Sequence, residues 1–389
     1  MMIYKNQFVH GYMLLACACL FFQSCKQDQL TVTPLPTERT VLPNQLRLSE
    51  KENFYGGYGN TLWTGCPVNT KNTRRYGPGA YIKLLSPEEK AQIGNSIDFR
   101  IELHAAYDQW DRNAYSWYIK VPKGKTGLAD INPNDYTKTS FIHYTTPYFA
   151  HDSTPNKITY KRDVSEFAPD LRDPAYDVYI GYEIGANPTN KSNGGYLDDG
   201  WQKEYCSYAG FHAEVFIDTK TKAVLKEEQD NTVVLPLLSE GIRAVEYVEK
   251  TFTTDTDMQD AYLRISSSGH GSGNMEEGMF REFEVILDDK TVEKFSTEQS
   301  CTPRSYYDDI NPYGGGGWTY PTRNWCQGGE IIVHKIALGK LSKGTHRIKL
   351  DVAKVLGTLD PLIINKRVPV SNGNYLQTYL VLVGQKVKP

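Results

Sequence analysis

The chain has 389 residues, more than one ordinary core organises, and so divides into two domains. A formal net charge of −3 and a pI of about 6.3 leave no basic footprint, which excludes nucleic acid as a partner. Aromatic residues make up 12% of the chain, and 27 of them are Tyr, whose flat ring and polar tip suit sugar rings as well as half-exposed strands.

The first element is an apolar run from Tyr12 to Phe22 behind Lys5. It is too short to cross a bilayer and reads as the core of a signal peptide. It ends in Phe22-Gln23-Ser24-Cys25, which resembles a bacterial lipoprotein signal cleaved before a lipid-bearing Cys25. The expectation is therefore an exported outer-membrane lipoprotein, facing the periplasm or the cell surface, with a signal over residues 1–24. A polar, aperiodic tether over 25–49 would follow. Cys66, Cys206, Cys301 and Cys326 remain after the signal and lipid site, an even count that favours disulfides after export. No Cys-x-x-Cys pair offers zinc-knuckle spacing.

The rest of the chain reads as strands broken by Gly, Pro and Asn. Candidates in the first half are Tyr115–Val121, Ala175–Ile184 and His212–Asp218. In the second half they are Ile242–Thr251, Ala261–Ser267, Phe280–Leu287, Glu330–Ala337, His346–Val352 and Tyr375–Val383. Apolar and polar residues alternate in many of them, as in half-buried antiparallel strands. Asp288-Asp289 and Lys343-Gly344 mark turns. The predicted class is all-β, two antiparallel jelly-roll sandwiches side by side. A charged seam at Lys226–Asn231 puts the domains at 50–228 and 229–389.

Several signatures fail. Gly124-Lys125-Thr126 lacks the earlier Gly of a phosphate loop, since position 119 is Ile119. Gly269-His270-Gly271-Ser272-Gly273 reads as a flexible loop at a sandwich edge, with no helix after it. There is no Gly-x-Ser-x-Gly elbow, His-Glu-x-x-His helix or His-x-His pair.

Three acidic and aromatic segments remain. Asp108-Gln109-Trp110-Asp111-Arg112 combines a ring that can stack on a sugar, a carboxylate and a guanidinium that can orient it. Glu183 stands inside a β-like run after Tyr182, where a carboxylate needs a partner. Glu276-Glu277 precede a strand and follow the glycine-rich stretch; neighbouring carboxylates at a cleft can serve acid/base work.

In order, these segments resemble the peptide-N-glycosidase F family. The resemblance runs through Gln109-Trp110-Asp111-Arg112, Thr146-Pro147-Tyr148-Phe149 and Glu183. It continues through Ala261-Tyr262-Leu263-Arg264, Ser266–Gly273, Glu277-Gly278-Met279-Phe280-Arg281 and Arg323-Asn324-Trp325-Cys326, covering roughly residues 50–386. It implies two packed jelly rolls with a site at their interface. It also implies hydrolysis of the amide joining N-acetylglucosamine to asparagine, without metal or cofactor. The implied catalytic residues are Asp111, Glu277 and Glu183. Trp110, Arg112, Arg323, Tyr182 and Trp325 would bind substrate, with both arginines supplying the positive field around Asp111. A Cys301–Cys326 disulfide is implied as well, leaving Cys66 and Cys206 over.

The implied partners are N-glycosylated proteins or glycopeptides, and the membrane through the lipid; the chain is expected to act as a monomer. Met275 and Met279 stand where the type member has cysteines around the second-domain acid. Gly185 and Ser268 or Gly269 stand where it has cleft aromatics. Two rival readings are a non-catalytic glycan-binding lipoprotein on the same fold and a copper monooxygenase. The second needs imidazole ligands that eight scattered histidines do not supply as a His-x-His pair.

Overall fold

A computed structural model describes residues 44–56, 68–108, 110–147, 156–186, 209–221, 231–271, 276–300, 322–358 and 361–387. The expected signal, Cys25, Cys66, Cys206 and Cys301 lie outside these residues. So do Gln109, Tyr148, Phe149 and Met275.

The first half contributes β1 Gln45–Phe54, β2 Thr73–Gly77, β3 Ala80–Leu84, β4 Ser96–Ala105 and β5 Asn113–Pro122. β6 Thr139–Thr145, β7 Lys157–Asp163, β8 Tyr176–Ile184 and β9 Phe211–Thr221 follow. They form a four-stranded sheet in the order β1-β9-β4-β7 and a five-stranded sheet in the order β2-β3-β8-β5-β6. Every named pairing is antiparallel. One core joins the two sheets: Leu48, Phe99, Ile101, Val215 and Ile217 come from the first, Tyr81, Tyr118, Phe141 and Ile180 from the second. Burying each large apolar side chain contributes about 1.5–3 kcal/mol, which is why alternation along each strand fixes which face turns inward.

The second half contributes β10 Thr232–Ile242, β11 Tyr247–Thr254, β12 Met258–Gly271, β13 Phe280–Leu287 and β14 Lys290–Ser296. β15 Gln299–Ser300, β16 Thr322–Arg323, β17 Val333–Leu341, β18 Gly344–Gly357 and β19 Asn374–Lys386 complete it. Its two four-stranded sheets run β10-β19-β12-β17 and β11-β18-β13-β14 and share a second core of Leu263, Ile265, Phe283, Leu350 and Leu380. The all-β, two-sandwich class expected from the sequence is the class observed. Asp288 and Asp289 take positive φ, 48° and 64°, in the β13–β14 turn, as a tight hairpin requires.

Three expectations change. The tether does not reach residue 49: Gln45–Ser49 already pair with β9, because Leu46 and Leu48 have a core to enter. Ile242–Thr251 is two strands rather than one, with a turn holding Ala244 at φ 54°. Gly269-His270-Gly271 is not an edge loop. It is the end of β12, paired with β19, and His270 is buried. Of the seam at Lys226–Asn231, only Asn231 is described, between β9 and β10.

Candidate functional site

The approach to β5 is built around a carboxylate to which the sequence reading gave no role of its own. Asp108, fully buried, accepts from the backbone N–H of Trp110 at 3.1 Å. It also takes Arg112 in a two-point pair, Nε at 2.7 Å and Nη2 at 3.0 Å. Thr146 closes the turn from the other side. Its hydroxyl accepts from Arg112 N–H at 2.7 Å and donates to the Trp110 carbonyl at 3.0 Å, and its N–H donates to the Arg112 carbonyl at 2.8 Å. This clamp gives the Thr146-Pro147 motif a physical role. Asp111, half-buried, is held at the crest of the turn and accepts from Gln327 Nε2 of the second sandwich at 3.3 Å. Arg112 was expected to act on Asp111; in the structure its guanidinium is committed to Asp108.

Glu183 sits on β8 opposite Tyr115 of β5. Its Oε1 accepts from Trp117 Nε1 at 2.6 Å and from Lys138 Nζ at 3.1 Å, and Lys138 also lies over the Trp117 ring. The Glu183 charge, then burial, pushes the Tyr115 hydroxyl well above its ordinary pKa; burial first and Glu183 second do the same to Tyr76. Both phenols are held protonated beside the carboxylate. A cleft of about 220 Å³ opens here, with Asn113, Tyr115, Glu183, Gly185 and Tyr375 in its lining.

The second-domain acids divide sharply. Glu276 is fully buried and paired with Arg281, Oε2 to Nε at 2.9 Å and Oε1 to Nη2 at 2.6 Å. The same guanidinium donates to the carbonyls of Val352, Ala353 and Val368. Glu277 is half-buried and accepts from Gly271 N–H at 3.3 Å. Asn324 fastens this turn to β12: its amide donates to the Glu276 and Met279 carbonyls and accepts from Gly269 N–H. The turn thus has a clamp of its own where the type member was expected to use cysteines. Arg323 lies on β16 opposite Gln299.

Two expected substrate-binding residues are core residues. Tyr182 is 2% exposed and stacks on Tyr81 at 5.6 Å, because alternation on β8 sends it to the face opposite Glu183. Trp325 is 4% exposed; its Nε1 donates to the Gly269 carbonyl and its ring stacks on His270 at 6.0 Å. Cys326 is disulfide-bonded; its expected partner Cys301 lies outside the described residues.

Sequence reading gave no site role to Asp108, Trp117, Lys138, Tyr115, Tyr375 and Gln327. The alternation that put Glu183 on one face of β8 also put Tyr115 and Trp117 on the same face of β5, a signal available once the two strands are paired. Among the described residues one group could approach a metal ion, Glu102, His104 and Glu214 on the outer sheet. Arg100 and Lys157 already engage Glu102, and Arg47 engages Glu214 at 2.6 Å, so cations hold the carboxylates a metal would need.

Residues 241–379 match the family described as peptide-N-glycosidase F, C terminal. No curated protein matches the chain. Among solved structures, one of PNGF-II superposes with a TM-score of 0.61 at 16% identity, covering 88% of this chain and 66% of that one. The crystal structure of a peptide-N(4)-(N-acetyl-β-D-glucosaminyl)asparagine amidase gives 0.54 at 14% identity, covering 89% and 96%. PNGase F from Flavobacterium meningosepticum, described as a glycosylasparaginase, gives 0.52 at 13%, covering 89% and 97%. This chain therefore spans about two thirds of PNGF-II and nearly all of the shorter enzyme, on the same two-sandwich fold.

Proposed function

We propose, from the match of residues 241–379 to peptide-N-glycosidase F, C terminal, and from the shared two-sandwich fold, that this chain is a member of that family and an amidohydrolase releasing N-linked glycans from the asparagine of glycoproteins or glycopeptides. Water adds to the asparagine amide carbon, the C–N bond breaks, and the nitrogen leaves with the sugar as a glycosylamine. Aspartate remains on the peptide, and the glycosylamine later loses ammonia. An amide carbon is a poor electrophile, so the attacking water needs a base and the developing oxyanion needs donors. Asp111 takes the base role, being the half-buried carboxylate presented by the Asp108 and Thr146 clamp. Glu277 polarises water or carbonyl. Glu183 is an anchor: its donors Trp117 and Lys138 occupy one oxygen and fix the wall on which the inner sugar rests. Trp110 and Arg323 complete the substrate contacts.

The observation that carries the reading is the gathering of Glu183, Tyr115, Asn113 and Tyr375 around one cleft between the sandwiches, with the Glu277 charge acting on Tyr375. Incubation with a denatured N-glycoprotein tests it. Free glycan together with Asn-to-Asp conversion, read by mass, is expected from the native chain and lost in Asp111→Asn at unchanged folding. Glycan binding without release would instead support the non-catalytic glycan-binding reading.

We also propose that Cys25 carries lipid and tethers a monomer to the outer membrane. Incorporation of an alkyne fatty acid, lost in Cys25→Ser, is the expected result; equal labelling of the variant would sink the anchor.

A further inference from the structure

Five side chains to which the proposed chemistry assigns no step close into a ring across the two sandwiches. Asn113 on β5 and His143 on β6 come from the first, Ser268 and His270 on β12 and Tyr375 on β19 from the second. Asn113 Oδ1 and Ser268 Oγ lie 2.8 Å and 3.0 Å from the same atom, His143 Nε2. Ser268 Oγ is 2.6 Å from His270 Nε2. The His270 ring packs on the Tyr375 ring at 5.5 Å, and Tyr375 and Asn113 line the same cleft, which closes the circuit.

A serine beside a histidine invites a nucleophile reading, and the geometry rejects it. A base needs one ring nitrogen for the hydroxyl and the other for an orienting group. Here both contacts fall on Nε2, and Ser268 is 1% exposed.

The protons follow by elimination. The carboxamide oxygen only accepts, so His143 Nε2 carries the hydrogen and donates to Asn113 Oδ1, with Ser268 Oγ as its second acceptor. The opposite tautomer would bury an N–H at Nδ1, which has no acceptor among the described residues and would cost about 1–3 kcal/mol. Ser268 then donates to His270 Nε2, which is free to accept because burial pushes that imidazole down to about 3. Burial raises the Tyr375 pKa and Asn113 lowers it, as a donor does. Among the described residues nothing accepts the Tyr375 O–H, so its proton is left for a ligand. Arg243 lies over the Tyr375 ring at 4.5 Å, pinning its plane, and Tyr375 is in the cleft lining.

We propose that Tyr375 is a hydrogen-bond donor to an oxygen of the bound glycan, and that Asn113, His143, Ser268 and His270 are positioning residues that aim it. The proposal rests on the glycoamidase reading of the cleft and deepens it. It places a phenol where the expected cleft aromatics are missing, and it binds that phenol to both sandwiches at once.

The test uses the full chain and a fluorescent N-glycopeptide, comparing kcat and KM for the native protein, Tyr375→Phe, Ser268→Ala and Ser268→Thr. Tyr375→Phe is expected to lose about tenfold or more in kcat/KM, the scale of one hydrogen bond to substrate. Ser268→Ala should move in the same direction with Tyr375 still in place, and Ser268→Thr, which keeps the hydroxyl, should restore the rate. Native kcat/KM in Tyr375→Phe would overturn the donor role. A silent Ser268→Ala, or a Ser268→Thr as impaired as it, would overturn the positioning role. Imidazole ¹⁵N spectra read the ring without turnover: His143 is expected as the Nε2–H tautomer with His270 neutral, and an Nδ1–H tautomer would refute the circuit. If the native chain releases no glycan while the spectra are as expected, the amidase reading fails and the ring stands. Chitobiose titration then decides the donor, with Tyr375→Phe expected to bind about tenfold more weakly; no binding by the native chain would remove it.

Discussion

Glu276 and Glu277 are adjacent, chemically identical and given opposite work. Glu276 is a fully buried partner of Arg281; Glu277 is half-buried against Gly271. Breaking a buried pair by removing one partner costs about 3–5 kcal/mol, because the other charge is left uncompensated. Glu276→Ala or Arg281→Ala is therefore expected to lower the urea midpoint by that order, whereas Glu277→Gln should stay within about 1 kcal/mol of native and affect turnover instead. Equal midpoints for the two glutamate variants would contradict the division. The same ambiguity surrounds Arg112, whose nearest acid in sequence is Asp111 but whose bonded acid is Asp108, one helical-like spacing back. Sequence shows that such acids and bases exist; which of them meet depends on how a turn folds, and the turn here is set by Thr146, 34 residues downstream of Arg112.

At the scale of the element, β8 was readable and its neighbours less so. Its alternation puts Tyr182 into the core and Glu183 on the opposite face, which is why only one of them reaches the cleft. β13 was bounded from sequence at Phe280–Leu287 and is observed there, because Gly278 before it and Asp288-Asp289 after it punctuate a regular pattern. β1 escaped notice because Ser49-Glu50-Lys51-Glu52 interrupt its apolar rhythm, and its ladder with β9 supplies what local pattern does not; β4 was missed although Ile97–Ala105 alternates apolar and polar residues as a half-buried strand does. The close packing of β5 on β8 gives a test. A Cβ on Gly181 would come within 2.1 Å of the Trp117 ring, and Trp117 is fully buried. Gly181→Ala should cost about 1–3 kcal/mol by overpacking and shift the indole off Glu183. A changed Trp fluorescence spectrum with a lowered melting point is the expected reading, and native values of both would contradict the contact.

For the whole molecule, buried imidazoles set the response to acid. Burial is the chief cause that lowers His104, His143, His212, His270 and His334, with His212 at about 4 and His270 at about 3. Burial would lower His346 too, but its bonds to Asp288 and Ser342 raise it. A histidine lowered in the folded chain contributes stability that is complete above the unfolded pKa near 6.5 and is lost as pH falls toward the folded value. His143 and His270 should each forfeit roughly 2 kcal/mol between pH 7 and pH 5, since only the unfolded chain takes up the proton. Urea midpoints are expected to fall over that interval, and flat midpoints would refute neutral burial of the pair.

The outermost strand of the five-stranded sheet, β6, does not end in solvent. Arg264 of the second sandwich donates to the Ser140 and Phe141 carbonyls; Ile331 N–H donates to the His143 carbonyl, and Thr145 N–H to that of Gly329. An exposed strand edge templates further pairing with other chains, and here the neighbouring sandwich occupies it. Neither half is then a good candidate for separate life. A fragment holding only the first sandwich would bare β6 as a row of sticky amides and carbonyls. One holding only the second would carry the guanidinium of Arg264, 3% exposed in the intact chain, into water without its acceptors. Severed halves should cluster into oligomers when made apart and should remain dispersed when made together.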